Sequence, residues 1–195
     1  MDDVRGFALV VLDLQRVVLP GGTWAIPGTE ELAARVASIA RDHRGPVLAT
    51  RQRLVGATVG GGTAAGAQGD RWAAFADRWR EELDRDPSWW ELAPALQGLP
   101  VADKTTYSAW RLPELRELAR DAGGLIVVGV ETDCCVAATV LDAIDDGIAV
   151  AVATDLVLGP DVTGHTGVLV GLSRLPEQVR LATAEALGIA DPAAA

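Results

Sequence analysis

The chain has very little lysine, histidine, cysteine or methionine. Of its 17 basic residues, 16 are arginine and only Lys104 is lysine; there are two histidines, two cysteines and one methionine. Against 27 acidic residues this leaves a net charge of −10. An excess of acid excludes the clustered cations that phosphate contacts require, so no nucleic-acid partner is expected. It equally disfavours an anionic membrane surface. No apolar run approaches the roughly 20 residues of a spanning helix; the best are Phe7 to Leu12 and Leu125 to Val130. Cys134 and Cys135 are adjacent, so they cannot join distant segments and are expected as free thiols. His43 and His165 are far apart and no zinc-ligand spacing accompanies them. Neither a G-x-S-x-G elbow nor a phosphate-binding G-x-x-x-x-G-K loop occurs. The Met1 to Arg5 segment lacks the basic region and apolar core of a signal peptide, so a soluble cytoplasmic protein is expected.

The sequence does supply a globular composition: 195 residues, 49% hydrophobic and 23% charged. That length and mix fit one domain spanning residues 1–195. Apolar runs alternate with amphipathic segments. Strands are expected at Phe7–Leu12, Pro46–Thr50, Val101–Ala102, Leu125–Val130, Ile148–Ala153 and Val179–Thr183. Helices are expected at Thr29–Arg44, with Thr29 as cap, at Leu112–Ala122, and after the 125–130 strand, where Val136, Val140, Ala143 and Ile144 mark one face. This alternation predicts a three-layer α/β/α doubly wound sandwich around a mostly parallel sheet of about six strands. Gly56 to Gly69 reads as a surface loop and candidate lid. Its Gly60-x-Gly62-x-x-Ala65 spacing does not sit between a strand and a helix, as a dinucleotide site demands.

In such a sheet, ligands bind beyond the carboxyl ends of the strands. Asp13 follows the first strand, and by position it serves equally as a turn residue or as a site acid. Cys134 and Cys135 fall where a helix begins after the 125–130 strand. Free amides and the positive dipole end there lower a thiol's pKa and can cradle an oxyanion. Lys104 follows the third strand. A chain that meets 16 other needs for positive charge with arginine has kept one compact, tunable ammonium at this place. Trp72, Phe75 and Trp79 share a heptad face and read as core or interface, whereas Trp24, in a Gly/Pro-rich loop after Asp13, is a candidate pocket wall.

Several segments together resemble the isochorismatase-like cysteine hydrolases. Gly129-Val130-Glu131-Thr132-Asp133-Cys134-Cys135-Val136, followed by Thr139 and Asp142-Ala143, resembles their nucleophile segment. Asp13-Leu14-Gln15 resembles their first motif, and Lys104-Thr105-Thr106-Tyr107-Ser108-Ala109-Trp110 their lysine segment. Asp155 and His165 resemble later Asp and His positions. The resemblance implies a triad of Asp13, Lys104 and Cys135, with Cys134 at the variable position. It also implies a cis peptide at Val130–Glu131 and an oxyanion hole from the amides of Glu131 and Cys135. Gln15, Trp24, Tyr107, Trp110, Glu131 and His165 are the substrate-binding candidates.

The implied activity is amidase-type hydrolysis of a small amide or imide through a Cys135 thioester. The alternatives are an isochorismatase-type vinyl-ether hydrolase using Asp13, or a binding or redox-sensing domain using the paired cysteines. No cofactor is expected. The family's nicotinamidase branch carries an Asp/His metal site after the second strand, and Thr50-Arg51-Gln52-Arg53-Leu54 contains no histidine, so no metal is expected either. The family's habit of forming dimers and tetramers predicts a homo-oligomer.

Overall fold

The computed structural model describes residues 3–54, 58–59, 62–63 and 70–189. Six strands form one sheet: β1 (Ala8–Leu12), β2 (Val47–Gln52), β5 (Val101–Lys104), β6 (Leu125–Val130), β7 (Val150–Leu158) and β8 (Val179–Ala182). Two further strands, β3 (Thr58–Val59) and β4 (Gly62–Thr63), pair with each other antiparallel. They are the described part of the predicted 56–69 loop; its remaining residues, and with them the lid reading, lie outside the described residues.

The sheet order is β5-β2-β1-β6-β7-β8 and every pairing in it is parallel. The chain therefore winds outward from β1 in one direction and from β6 in the other, which makes the β1/β6 boundary the switch point. β1 explains its own continuously apolar sequence. Leu9 and Val11 join the core on one face, with α1 (Thr29–Asp42). Ala8, Val10 and Leu12 join the core on the other, with α3 (Pro113–Asp121) and α4 (Ala137–Asp145). A strand covered on both sides has no solvent face on which polar residues could alternate. The remaining helices are α2 (Asp70–Asp84) and α5 (Val162–Leu172).

Gly129 is the close point of the boundary. Its φ is +111°, and a Cβ there would lie 2.2 Å from the Leu12 carbonyl oxygen, so only glycine lets β6 lie against β1 just before Asp13. The β6–β7 register shifts at the same place.

Some sequence expectations need correcting. Thr29 does not cap α1: Gly28 does, in a left-handed conformation, while the buried Thr29 hydroxyl donates to the carbonyls of Val18 and Ile26. β7 is longer than the predicted 148–153 strand, and Asp155 lies inside it. Asp155 accepts from Arg35 at 2.6 Å and from the Ala184 amide at 2.8 Å, which makes it a tie between α1, β7 and the C-terminal segment. Asp161 caps α5 by accepting from the Gly164 amide, and His165 lies inside that helix. Among the described residues no helix is long and apolar enough to cross a membrane.

Candidate active site

Asp13 leaves β1 with φ +51°, a left-handed conformation that aspartate tolerates better than most residues. The turn aims its carboxylate across the end of the sheet, where Thr50 at the end of β2 donates to Oδ1 at 2.7 Å. Lys104, the last residue of β5, reaches over β2 to Asp13 Oδ2 at 2.7 Å. The same ammonium donates to Gln52 Oε1 at 2.6 Å and to the Thr106 carbonyl at 3.0 Å, and lies 3.3 Å from Cys135 Sγ. The side chains of both Lys104 and Asp13 are almost wholly buried. A buried charge pair of this kind is tolerable only when paired and hydrogen-bonded, and this one is both.

Cys135 comes from a turn of π-helix, Thr132–Val136, that joins β6 to α4. The Val130–Glu131 peptide before it is cis, as the family resemblance implied. Thr139, fully buried one turn into α4, donates to the Cys135 carbonyl at 2.7 Å and accepts from the Ala109 amide at 2.9 Å. It thus ties the thiol's turn to the segment carrying Lys104. The acid, ammonium and thiol named from sequence therefore lie within contact of one another, although they arrive on three different strands.

Their electrostatics differ from the expectation of an acidified thiol. Burial, reinforced by the Asp13 carboxylate, pushes the Cys135 thiol well above its usual range, and Lys104 offsets this only in part. For Lys104 burial acts to lower the pKa, but the negative charges of Asp13 and Cys135 outweigh it and hold the ammonium above its usual value. Both shifts favour the protonated forms, an ammonium and a neutral thiol. Cys134, half-buried, is pushed up to about 11 by burial and then by Glu131 and Asp133. The dipole argument missed this because it weighed only the helix end and not the desolvation.

A cavity of about 430 Å³ opens above Cys135. Of the candidate residues, Asp13, Gln15, Trp24, Tyr107, Glu131 and Cys135 line it. Gln15 is already committed, however: its amide donates to the Gln52 and Trp90 carbonyls and its oxygen accepts from the Gln52 amide. Trp110 and His165 do not reach the cavity. Trp110 is buried in the core on the α3/α4 face, with Nε1 donating to Asp146 at 2.7 Å. His165 Nδ1 lies 2.9 Å from the Thr132 hydroxyl, bracing the thiol's turn from α5. Sequence reasoning missed Trp72, Phe75 and Trp79, which wall the cavity from α2. Their heptad spacing is the same whether a helix faces a core or a pocket.

The residues after β2 do not suit a metal ion. Arg51 and Arg53 stand there and pair with Asp103, and Arg51 also with Glu91, so two guanidinium groups occupy the region where a cation would need donors. Elsewhere, among the described residues, Glu131, Asp133 and Cys134 offer ligand atoms within 4.8 Å of one another. Acidic groups so placed are common without an ion and by themselves define no site.

An open parallel sheet with buried acid, ammonium and thiol side chains gathered at its carboxyl end places the chain in the doubly wound α/β class. The Isochorismatase domain family matches residues 7–186, and the chain belongs to that family; it is an isochorismatase-like hydrolase. Solved structures share the fold. A cysteine hydrolase from Pseudomonas syringae pv. phaseolicola 1448A is 21% identical with a TM-score of 0.73, over 96% of this chain and 93% of that one. An isochorismatase family protein from Desulfovibrio vulgaris subsp. vulgaris str. Hildenborough is 21% identical with a TM-score of 0.69, over 94% and 97%. The pyrazinamidase of Pyrococcus horikoshii, solved in complex with zinc, is 21% identical with a TM-score of 0.65, over 90% and 98%. None of the curated proteins matches the chain.

Proposed function

We propose that the chain is a cysteine-dependent amidase that cleaves a C–N bond of a small amide or imide through a Cys135 thioester. The observation that carries this reading is the Lys104 ammonium, set 2.7 Å from Asp13 Oδ2 and 3.3 Å from Cys135 Sγ, two groups that line the cavity. A neutral thiol needs a base only as it attacks, and Asp13 is that base. As Sγ bonds to the carbonyl carbon, its proton passes to Asp13 and the carbonyl electron pair becomes an oxyanion facing the amides of Glu131 and Cys135. Lys104 balances the charge that moves between acid and sulfur. The tetrahedral intermediate collapses as Asp13 returns the proton to the leaving nitrogen, releasing ammonia or an amine. Water, deprotonated by Asp13, then attacks the thioester, and the thiolate leaves with that proton.

The burial that keeps the thiol protonated favours one other reading, in which Asp13 and not the thiol serves hydrolysis of a vinyl ether. A screen of small amides for ammonia release, with a chelator control, tests the first reading. Cys135→Ala should abolish turnover, and rapid quenching of the wild type should trap an acyl adduct by intact mass. Undiminished turnover by Cys135→Ala would overturn the thioester mechanism.

A further inference from the structure

The cavity is unusual for what faces it. Among the described residues its lining includes two carboxylates, Asp13 and Glu131, and no lysine, arginine or histidine. Asp13 is already neutralised by Lys104. Glu131 takes part in no ion pair among the described residues, although it is largely withdrawn from water. Burial, and then the nearby Asp133, raises its pKa above the ordinary carboxylate range, as expected of an acid without a counterion.

Trp24, Trp72, Phe75, Trp79 and Tyr107 share the wall with smaller side chains and do not form a flat slot; even Trp24 and Phe75 are tilted by 36°. Trp24 meets Trp79 at 86° with centroids 5.9 Å apart, and Trp72 meets Phe75 at 84° and 6.0 Å. Trp72 and Tyr107 are 4.8 Å apart and tilted by 57°. No pair among these lies parallel, so the rings suit a box around a compact group better than a sandwich around a planar one. Electron-rich rings at large mutual angles beside a carboxylate are the chemistry that recognises an ammonium group. The same wall would repel a substrate carboxylate, having no cation to offer it.

We propose that the cavity selects amides or imides whose non-reacting part is a compact cation, a protonated amine or a quaternary ammonium, held by Glu131 and the aromatic walls. This rests on the amidase reading for which bond is broken, but the selectivity is a binding property and can be measured apart from turnover. A cation seated beside Glu131 supplies the counterion that the protein leaves out, while Trp24, Trp72 and Trp79 shield it from water.

Three primary amides of matched shape test it: 4-(trimethylammonio)butanamide, its neutral isostere 5,5-dimethylhexanamide, and the anionic glutaramate. Dissociation constants are read by titration calorimetry on Cys135→Ala protein, which cannot turn them over if the amidase reading holds. The cation should bind about tenfold more tightly than the neutral isostere, the size of a desolvated cation–π contact with its ion pair, and glutaramate most weakly. Adding Glu131→Gln, with the fold checked by circular dichroism, should bring that ratio below about threefold. Trp79→Leu should lower the cation's affinity more than the isostere's, and gives a second reading should Glu131→Gln not fold. Equal or tighter binding of the neutral isostere, no binding of any of the three, or a ratio unmoved by both variants would overturn the proposal. Ammonia release by the wild type is scored separately. Cation preference without release from any of the three counts against the amidase reading alone, and release without preference counts against the cation proposal alone.

Discussion

Lys104 donates to the side-chain oxygen of Gln52, its own register partner across the β2–β5 ladder, at 2.6 Å. The ammonium is thereby held from the side by a neighbour on the adjacent strand while it faces Asp13 and Cys135. It donates to the oxygens of Gln52 and Thr106 and ion-pairs with Asp13, an arrangement that suits a compact three-donor group better than a planar fork. Lys104→Arg should therefore retain the fold by circular dichroism yet lose about 100-fold or more in kcat/KM for ammonia release, because sub-ångström placement is what the contact supplies. Near-wild-type kinetics would mean that only the charge matters.

The thiol makes a prediction of opposite sense to the one its helix end invites. With burial and Asp13 holding Cys135 well above its usual range and Cys134 at about 11, the resting protein should react with iodoacetamide at pH 7 at least about tenfold more slowly than a free cysteine peptide. The rate should climb steadily above pH 9, read by peptide mass spectrometry. Fast labelling of Cys135 at neutral pH would show that Lys104 outweighs desolvation.

The same shifts set the alkaline limit of stability. A raised folded-state pKa means the native thiol keeps its proton where the unfolded chain, near 8.5, has released it. That stabilisation is complete below about pH 8.5 and is lost as pH rises toward the folded value. Lys104, also raised, contributes in the same sense: its stabilisation is present below about 10.4 and lost as pH passes its folded value. The Tm should thus fall from about pH 8.5 upward; Cys135→Ala should lessen the earliest part of that decline, and replacing Cys134 as well should remove it.

Gly129→Ala tests the seam between β1 and β6. The added methyl would meet Leu12 backbone atoms at 2.2 and 2.7 Å and would sit at φ +111°. Neither strand can retreat without breaking its ladder, so a loss of about 3–4 kcal/mol in urea unfolding is expected, or failure to accumulate folded protein.

Trp110→Phe separates a structural aromatic from a pocket aromatic. It removes a partly buried hydrogen bond to the exposed Asp146 on the far face of the sheet and should cost about 1 kcal/mol while leaving KM unchanged. Trp24→Leu, within the cavity wall, should do the reverse, raising KM with a smaller effect on stability. Urea midpoints and Michaelis curves on the two proteins check the pair.

What sequence could foresee follows from what each signal measures. β1 and β6 were legible because burial on both faces demands unbroken apolar runs; strand ends, where side chains escape the ladder, drew attention to Asp13, Lys104 and the two cysteines, but only the family resemblance joined them as a triad and chose Cys135 over Cys134. The cavity walls were not. Trp72, Phe75 and Trp79 obey the same helical spacing whether their face meets a core or a ligand, and Trp110, inside the lysine segment, points through the sheet to the other layer. α5 gave no periodic signal at all, since Val162, Val168, Leu169, Val170 and Leu172 do not confine themselves to one side. The state of the thiol was hidden for a different reason: desolvation belongs to the assembled neighbourhood and to no single residue.

The route of the chain through the sheet has a kinetic corollary. Asp13, Lys104 and Cys135 hang from β1, β5 and β6, so the group exists only after the non-local β1–β2, β2–β5 and β1–β6 pairings have formed. Parallel pairings of that kind close slowly and late compared with local helices. Regain of the Lys104–Cys135 contact during refolding should therefore lag behind recovery of helical signal, which would make chemistry at this site a stopwatch for completion of the central sheet.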